Sequence, residues 1–218
     1  AAWGDRVFSA TAIYNDKMWI MGGGNAGATA GDNDVWYSSD GANWTQATAN
    51  AGWGNRMGGR SVAYNGKLWF IGGFLVGTTN YDNDVWYSSD GVTWTQATAD
   101  AGWSNRDLVG SVVYNNKMWI MGGGNASVRD NDVWYSSDGI TWTQATADAG
   151  WGNRKDAGFA VFDNKMWVFG GEDGATRYND IWYSSDGITW TQASAGAAWS
   201  ARNALFFTVF DNKMWVIG

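Results

Sequence analysis

DNDVWYSSDGANWTQAT, residues 32–48, returns almost unaltered as DNDVWYSSDGVTWTQAT (82–98), DNDVWYSSDGITWTQAT (130–146) and YNDIWYSSDGITWTQAS (178–194). A stretch copied four times with so few changes must serve the same mechanical purpose in each place. It reads as two strands, DVWYS and WTQAT, joined by Ser-Ser-Asp-Gly. In that turn the Asp accepts backbone N–H bonds and the Gly takes the left-handed position.

Working outward, the chain aligns on Arg6, Arg56, Arg106, Arg154 and Arg202, giving periods of 50, 50, 48 and 48 residues, and all eighteen tryptophans then fall into register. A unit of about 50 residues made of short strands and turns predicts a propeller blade rather than a helical solenoid. Two more strands complete it. The first is of the SVVY type (111–114) and the second is KMWIM (117–121), separated by Asn115-Asn116. The equivalent junctions, Asn15-Asp16, Asn65-Gly66, Asp163-Asn164 and Asp211-Asn212, all tolerate positive φ and suit a tight primed hairpin turn. The second strand ends at a glycine pair (22–23, 72–73, 122–123, 170–171), where close backbone approach or unusual φ is expected. KMWIM is apolar on successive residues, so both its faces need covering, and stacked blades provide that. Each buried indole contributes up to roughly 4–6 kcal/mol before entropy is subtracted, which makes tryptophan packing the leading stabilising effect.

The glycine pair, followed by Tyr37 and, after six residues, Trp44, resembles the kelch repeat family. Tyr87 and Trp94, Tyr135 and Trp142, and Tyr183 and Trp190 repeat the spacing. The Ser-Ser-Asp-Gly turn also resembles, more weakly, the Asp-box of bacterial sialidase-type propellers. The kelch resemblance implies an all-β propeller whose roles are mostly binding or scaffolding. The expectation is a single domain over 1–218: four complete four-stranded blades (about 3–50, 53–100, 103–148 and 151–196) and a two-stranded half blade (199–218). Three arrangements of the half blade fit the sequence: a five-position ring with an incomplete last blade, which is favoured; a swapped assembly; or a piece of a longer array. Homo-oligomerisation through the exposed strand edge of the incomplete blade is expected.

Composition narrows the function classes. The chain carries 14 basic and 21 acidic residues, a net charge of −7, with no clustered cations, which excludes nucleic acid and anionic membranes as expected partners. Histidine, cysteine and proline are all absent. That excludes disulfides, thiolate chemistry and histidine-based catalysis, and it removes the ligands that kelch-fold copper oxidases need. No cofactor, no metal and no enzymatic activity are expected. No apolar run approaches the roughly 20 residues that span a bilayer, and no leader is evident, so a soluble chain of unassigned location is expected. The absence of three residue types points equally to amplification of a small ancestral unit and to design.

The copies differ in two zones. After each aligned Arg they read VFSAT, MGGRS, DLVGS, KDAGF and NALFF, and after the glycine pair GNAGATAG, FLVGTTNY, GNASVR and EDGATR. In a propeller the post-Arg segments enter the innermost strand near one mouth of the channel, and variation inside a fixed frame is what a binding site uses. Candidate contacts are Phe8, Met57, Arg60, Asp107, Leu108, Lys155, Asp156 and Asn203, a mixed rim suited to a protein loop, a peptide or a glycan. The competing explanation is loop drift, which is the favoured account of the second zone. The repeated arginines are expected to be structural and the Asp-Asn-Asp tripeptides to be turn caps rather than calcium ligands. Asn43-Trp44-Thr45 and Asn125-Ala126-Ser127 fit glycosylation sequons.

Overall fold

Both residues between the first and second strands of every unit are left-handed: Asn15 and Asp16 have φ of 48° and 56°, and Asn115 and Asn116 of 47° and 55°. This is the primed turn that the Asn/Asp pairs favour, and it sets the register of everything downstream. The computed structural model describes residues 3–217; Ala1, Ala2 and Gly218, the last residue of the expected half unit, lie outside the described residues. Among the described residues there are strands and turns but no helices.

Blade 1 comprises β1 (Ala10–Tyr14), β2 (Lys17–Gly24), β3 (Gly31–Ser38) and β4 (Thr45–Thr48), paired antiparallel in that order. Blade 2 has a short extra β5 (Arg56–Met57) beside β6 (Arg60–Tyr64), β7 (Lys67–Leu75), β8 (Tyr81–Ser88) and β9 (Thr95–Thr98). Blade 3 is β10 (Gly110–Tyr114), β11 (Lys117–Met121), β12 (Val133–Ser136) and β13 (Thr143–Thr146). Blade 4 is β14 (Gly158–Phe162), β15 (Lys165–Phe169), β16 (Ile181–Ser184) and β17 (Thr191–Ser194). The half blade pairs β18 (Phe206–Phe210) with β19 (Lys213–Ile217). These are the four blades and a half of an all-β, kelch-like propeller. The two residues that blades 1 and 2 have beyond blades 3 and 4 extend the hairpin between second and third strands, where Gly24 pairs with Gly31 and Phe74 with Tyr81.

The chain divides into two compact units, one up to Asp107 and one from Leu108 onward. In the first, Ala10, Trp19 and Met21 of blade 1 meet Leu68 and Phe70 of blade 2 in one buried cluster. Trp53, on the connector between the blades, stacks flat on Phe70 with centroids 4.3 Å apart and meets Trp94 edge-on at 4.4 Å. The outer turn of blade 2 lies so close over Trp19 that a Cβ on Gly91 would stand 2.1 Å from the indole. The Tyr14 hydroxyl donates to the Gly66 carbonyl at 2.6 Å and stands 3.0 Å from that of Ser89.

The second unit repeats the same joint. Trp119, Met121 and Val133 of blade 3 pack with Phe159, Met166 and Val168 of blade 4, and a Cβ on Gly187 would meet the Trp119 ring at 2.2 Å. Tyr114 donates to the Asn164 carbonyl at 2.8 Å and stands 3.1 Å from that of Ser185. At this tyrosine position blade 4 and the half blade carry Phe162 and Phe210. The half blade packs Phe207 against Phe169, but it has no outer turn to lay over Trp167, which is accordingly less buried than Trp19 or Trp119.

Candidate functional site

The two variable zones meet along one edge of the blades. The residue after each of Arg6, Arg56 and Arg154 pairs with the residue two places beyond the first glycine of the pair: Val7 with Gly24, Met57 with Phe74, and Lys155 with Glu172. Gly22 and Gly23 make the approach possible, with φ of 58° and 103°; a Cβ on Gly23 would stand 2.3 Å from the Ser9 hydroxyl. Arg6, Arg56 and Arg154 themselves turn away from this edge into their own blades. The Arg6 guanidinium binds Asp34 at 2.6 and 3.2 Å and the Gly22 carbonyl at 3.1 Å. Arg154 binds Asp180 at 2.7 and 3.0 Å, the Gly170 carbonyl at 2.9 Å and the Trp151 carbonyl. The same aspartates accept the indole N–H two residues on, Trp36 to Asp34 at 2.6 Å and Trp182 to Asp180 at 2.7 Å. Burial works against the charge of Asp34, but Arg6 and Trp36 outweigh it and hold the carboxyl below its ordinary range.

The Asp-Asn-Asp tripeptides are likewise structural. The amide of Asn33 donates to the Ala51 carbonyl at 2.8 Å, and that of Asn83 to the Trp103 carbonyl at 2.7 Å, tying each blade to the following connector. Among the described residues no cluster of His, Cys, Asp and Glu could hold a metal ion, and no helix is long and apolar enough to cross a membrane.

The second residue after each Arg is left-handed in all five units: Phe8 (φ 55°), Gly58 (68°), Leu108 (52°), Asp156 (57°) and Ala204 (54°). Their backbones bond from blade to blade. In the first unit Gly58 N–H donates to the Phe8 carbonyl at 2.9 Å; in the second, Asp156 donates to Leu108 at 3.5 Å and Ala204 to Asp156 at 3.0 Å. The first unit thus brings together Phe8, the Met57–Arg60 segment and Asp107, whose Cβ would stand 3.0 Å from a Cβ on Gly58. The second brings together Leu108, Lys155, Asp156 and Asn203. Phe8 is exposed at 44%; Arg60, Asp107, Lys155, Asp156 and Asn203 are half-buried. Met57 and Leu108 are buried, Met57 with its side chain against Gly24, so these two line the underside of the edge rather than its surface.

Beside Lys155 the second zone forms a cleft of about 600 Å³, lined by Ser127, Arg129, Asn153, Asp173 and Tyr178. Tyr178 donates to Asp173 at 2.6 Å, a bond that, with the Thr176 and Ala175 N–H groups, lowers the Asp173 carboxyl to about 2. Burial, reinforced by that carboxylate, pushes the Tyr178 hydroxyl up to about 12. The Arg154 guanidinium lies 4.3 Å over the Tyr178 ring. Sequence reasoning assigned this zone to drift. The one break in the copied tripeptide marks it: Tyr178 stands where blades 1 to 3 have Asp32, Asp82 and Asp130, and the cation over its ring replaces the ion pairs that Asp32 and Asp82 make with Arg6 and Arg56.

Residues 153–183 match the Kelch motif. That stretch is similar to a kelch repeat. It spans the connector, both inner strands and half of the outer hairpin of blade 4; the other three blades share its glycine pair and its spaced Tyr and Trp, and blades 1 and 2 also share its Arg–Asp–Trp bonds. Kelch propellers are in general binding or scaffold modules rather than enzymes. No curated protein matches the chain.

The outer turns carry a pH dependence. Asp90 Oδ1 accepts the Thr93 and Val92 N–H groups at 2.8 Å each, and these bonds lower its pKa; Asp138 and Asp186 are lowered by the equivalent pairs, which outweigh burial. A carboxyl depressed in the folded state stabilises fully above its unfolded value of about 3.9 and loses that contribution as pH falls through the folded value. The urea midpoint is therefore expected to stay flat in this respect from neutral pH down to about 5 and to drop steeply below about 4. Replacing Asp90, Asp138 and Asp186 together by Asn should lower the midpoint at neutral pH and flatten the acid limb. An unchanged acid limb would show that these turns do not drive it.

Proposed function

We propose that the chain is a non-catalytic binding module that recognises a glycan or a protein or peptide segment through its post-Arg side chains. The observation that carries this reading is Phe8, a large aromatic left exposed in a left-handed conformation. That backbone costs an L-residue roughly 1–2 kcal/mol, and blade 2 adopts it with Gly58 at no such cost. Backbone bonding does not call for the ring, because the Phe8 carbonyl makes the blade-to-blade bond with any side chain. Strain retained without a structural return points to use. Arg60 and Asp107 add polar groups of both signs to the post-Arg edge of the first unit, and Lys155, Asp156 and Asn203 to that of the second. Met57 and Leu108 support them from beneath.

The test separates strain from recognition. Phe8→Gly and Asp156→Gly combined should raise the unfolding midpoint, because glycine relieves both left-handed positions, while abolishing retention of any ligand found for the native chain on glycan and peptide arrays. Full retention of those ligands by the doubly substituted chain would remove the post-Arg edge as the contact surface. A second reading, a repeat scaffold of amplified or designed origin whose role is folding or self-assembly without a ligand, is favoured by one observation: both units bear sheet faces with large exposed apolar side chains, Ile13 in the first and Phe210 in the second.

A further inference from the structure

Within each unit the first blade offers its successor the face that carries the second-strand tryptophan. Trp19 and Trp119 are each 4% exposed there, lying beneath Gly91 and Gly187. The same face of the half blade is open: Phe210 is 69%, Trp215 45% and Ile217 57% exposed. The opposite face, turned toward the preceding blade, carries Leu68 and Phe70 in blade 2 and Met166 and Val168 in blade 4, all essentially fully buried. In blade 1 its counterparts Met18 and Ile20 are only partly covered. Beside them Ile13 is 67% exposed, and Gly41 is exposed where Gly91 and Gly187 are buried.

We infer that a second copy of this chain docks blade 1 on the open face of the half blade, so that copies associate head to tail. The repeat specifies the occupant. The covering surface, as blade 2 presents it to blade 1, consists of an apolar pair from the second strand, a turn glycine flat against an indole, and two carbonyls, from the primed turn and the outer turn, around an aromatic side chain. Blade 1 of another copy supplies all of these: Met18 and Ile20, Gly41, and the carbonyls of Asp16 and Ser39. The two faces differ from one another, so the contact is heterologous rather than a two-fold pairing. One element of the internal joint is missing. Where Tyr14 and Tyr114 give a hydroxyl to the neighbouring carbonyls, Phe210 gives none. This contact goes beyond the recognition edge proposed above and shares no residue with it.

Sedimentation of the full chain over a wide concentration range tests the inference. The mass should rise with concentration. Ile13→Lys, which spoils only the blade 1 face, and Phe210→Glu, which spoils only the half-blade face, should each be monomeric alone; mixed, they should form a 1:1 complex through their two intact faces. Both positions are exposed, so unchanged unfolding midpoints verify that the substituted chains fold. Phe210→Tyr should tighten association about fivefold by supplying the missing hydroxyl. A chain that stays monomeric at every concentration, substituted chains that still self-associate, or a mixture that fails to pair would each overturn the inference.

Discussion

Replacing Arg56 by alanine is expected to destabilise the chain by about 3–5 kcal/mol, read as a fall in the urea midpoint followed by tryptophan fluorescence. The side chain is 3% exposed and its two terminal nitrogens, though not its buried Nε, are bonded: to Asp84 at 2.6 and 3.3 Å, the Gly72 carbonyl at 3.3 Å, the Trp53 carbonyl, and Asp82 at 3.1 Å. Truncation leaves the Asp84 carboxylate buried with only the Trp86 indole N–H beside it, and it removes the cation that offsets the effect of burial on Asp82, whose pKa is already raised. The size of the loss reflects an uncompensated charge rather than the intrinsic value of the pair, so neutralising both partners should restore part of it. Arg56→Met combined with Asp84→Asn keeps the apolar stem and an acceptor for Trp86, and is expected to be more stable than Arg56→Ala alone. A loss below about 1 kcal/mol would mean that the pair behaves as a solvated surface bridge.

The second large effect is a contrast between two glycines that sit in the same turn. Gly41 and Gly91 have φ of 79° and 76°, so alanine meets the same backbone penalty at both, about 1–2 kcal/mol. Their surroundings differ. A Cβ on Gly41 finds only the end of Met18, at 3.3 Å, whereas one on Gly91 would lie 2.1 Å from the Trp19 ring. That indole is buried and its N–H is held by the Tyr14 carbonyl at 2.9 Å, so it cannot swing aside without opening the joint between blades 1 and 2. Gly91→Ala should therefore cost about 1–3 kcal/mol more than Gly41→Ala, the usual range for overpacking a filled core. Equal losses would reduce the glycine to a turn-former and remove the indole contact as a determinant of blade packing.

Most of the frame was legible because its signals are local. Asn15-Asp16 and its equivalents dictate a primed turn from two residues, Ser-Ser-Asp-Gly dictates the outer turn from four, and KMWIM declares by its unbroken apolarity that both of its faces are covered. The arginines and the Asp-Asn-Asp tripeptides were read as structural on repetition alone, and their bonds to glycine carbonyls and indoles give the physical reason. What the sequence hid depends on which residue of a short segment comes to face a neighbour. Met57 and Leu108 look as available as Phe8 when aligned after their arginines, yet the strand pairing at Leu75 and Phe74 turns Met57 inward against Gly24. The cleft around Tyr178 was hidden differently. It is lined by the second variable zones of two different blades, Ser127 and Arg129 from one and Asp173 from the other, a juxtaposition that no spacing within either zone announces.

The bonds that run from Phe8 to Gly58, and from Leu108 through Asp156 to Ala204, use only peptide groups. At the exposed and half-buried positions, such as Phe8 and Asp156, side chains can therefore be exchanged while these bonds are kept, whereas Met57 and Leu108, which are buried, are tied to the packing beneath. Near-identical flanking repeats are also preferred substrates for genetic crossing-over. A single recombination event can carry the exposed side chains of one blade to another together, where point changes would have to accumulate one by one.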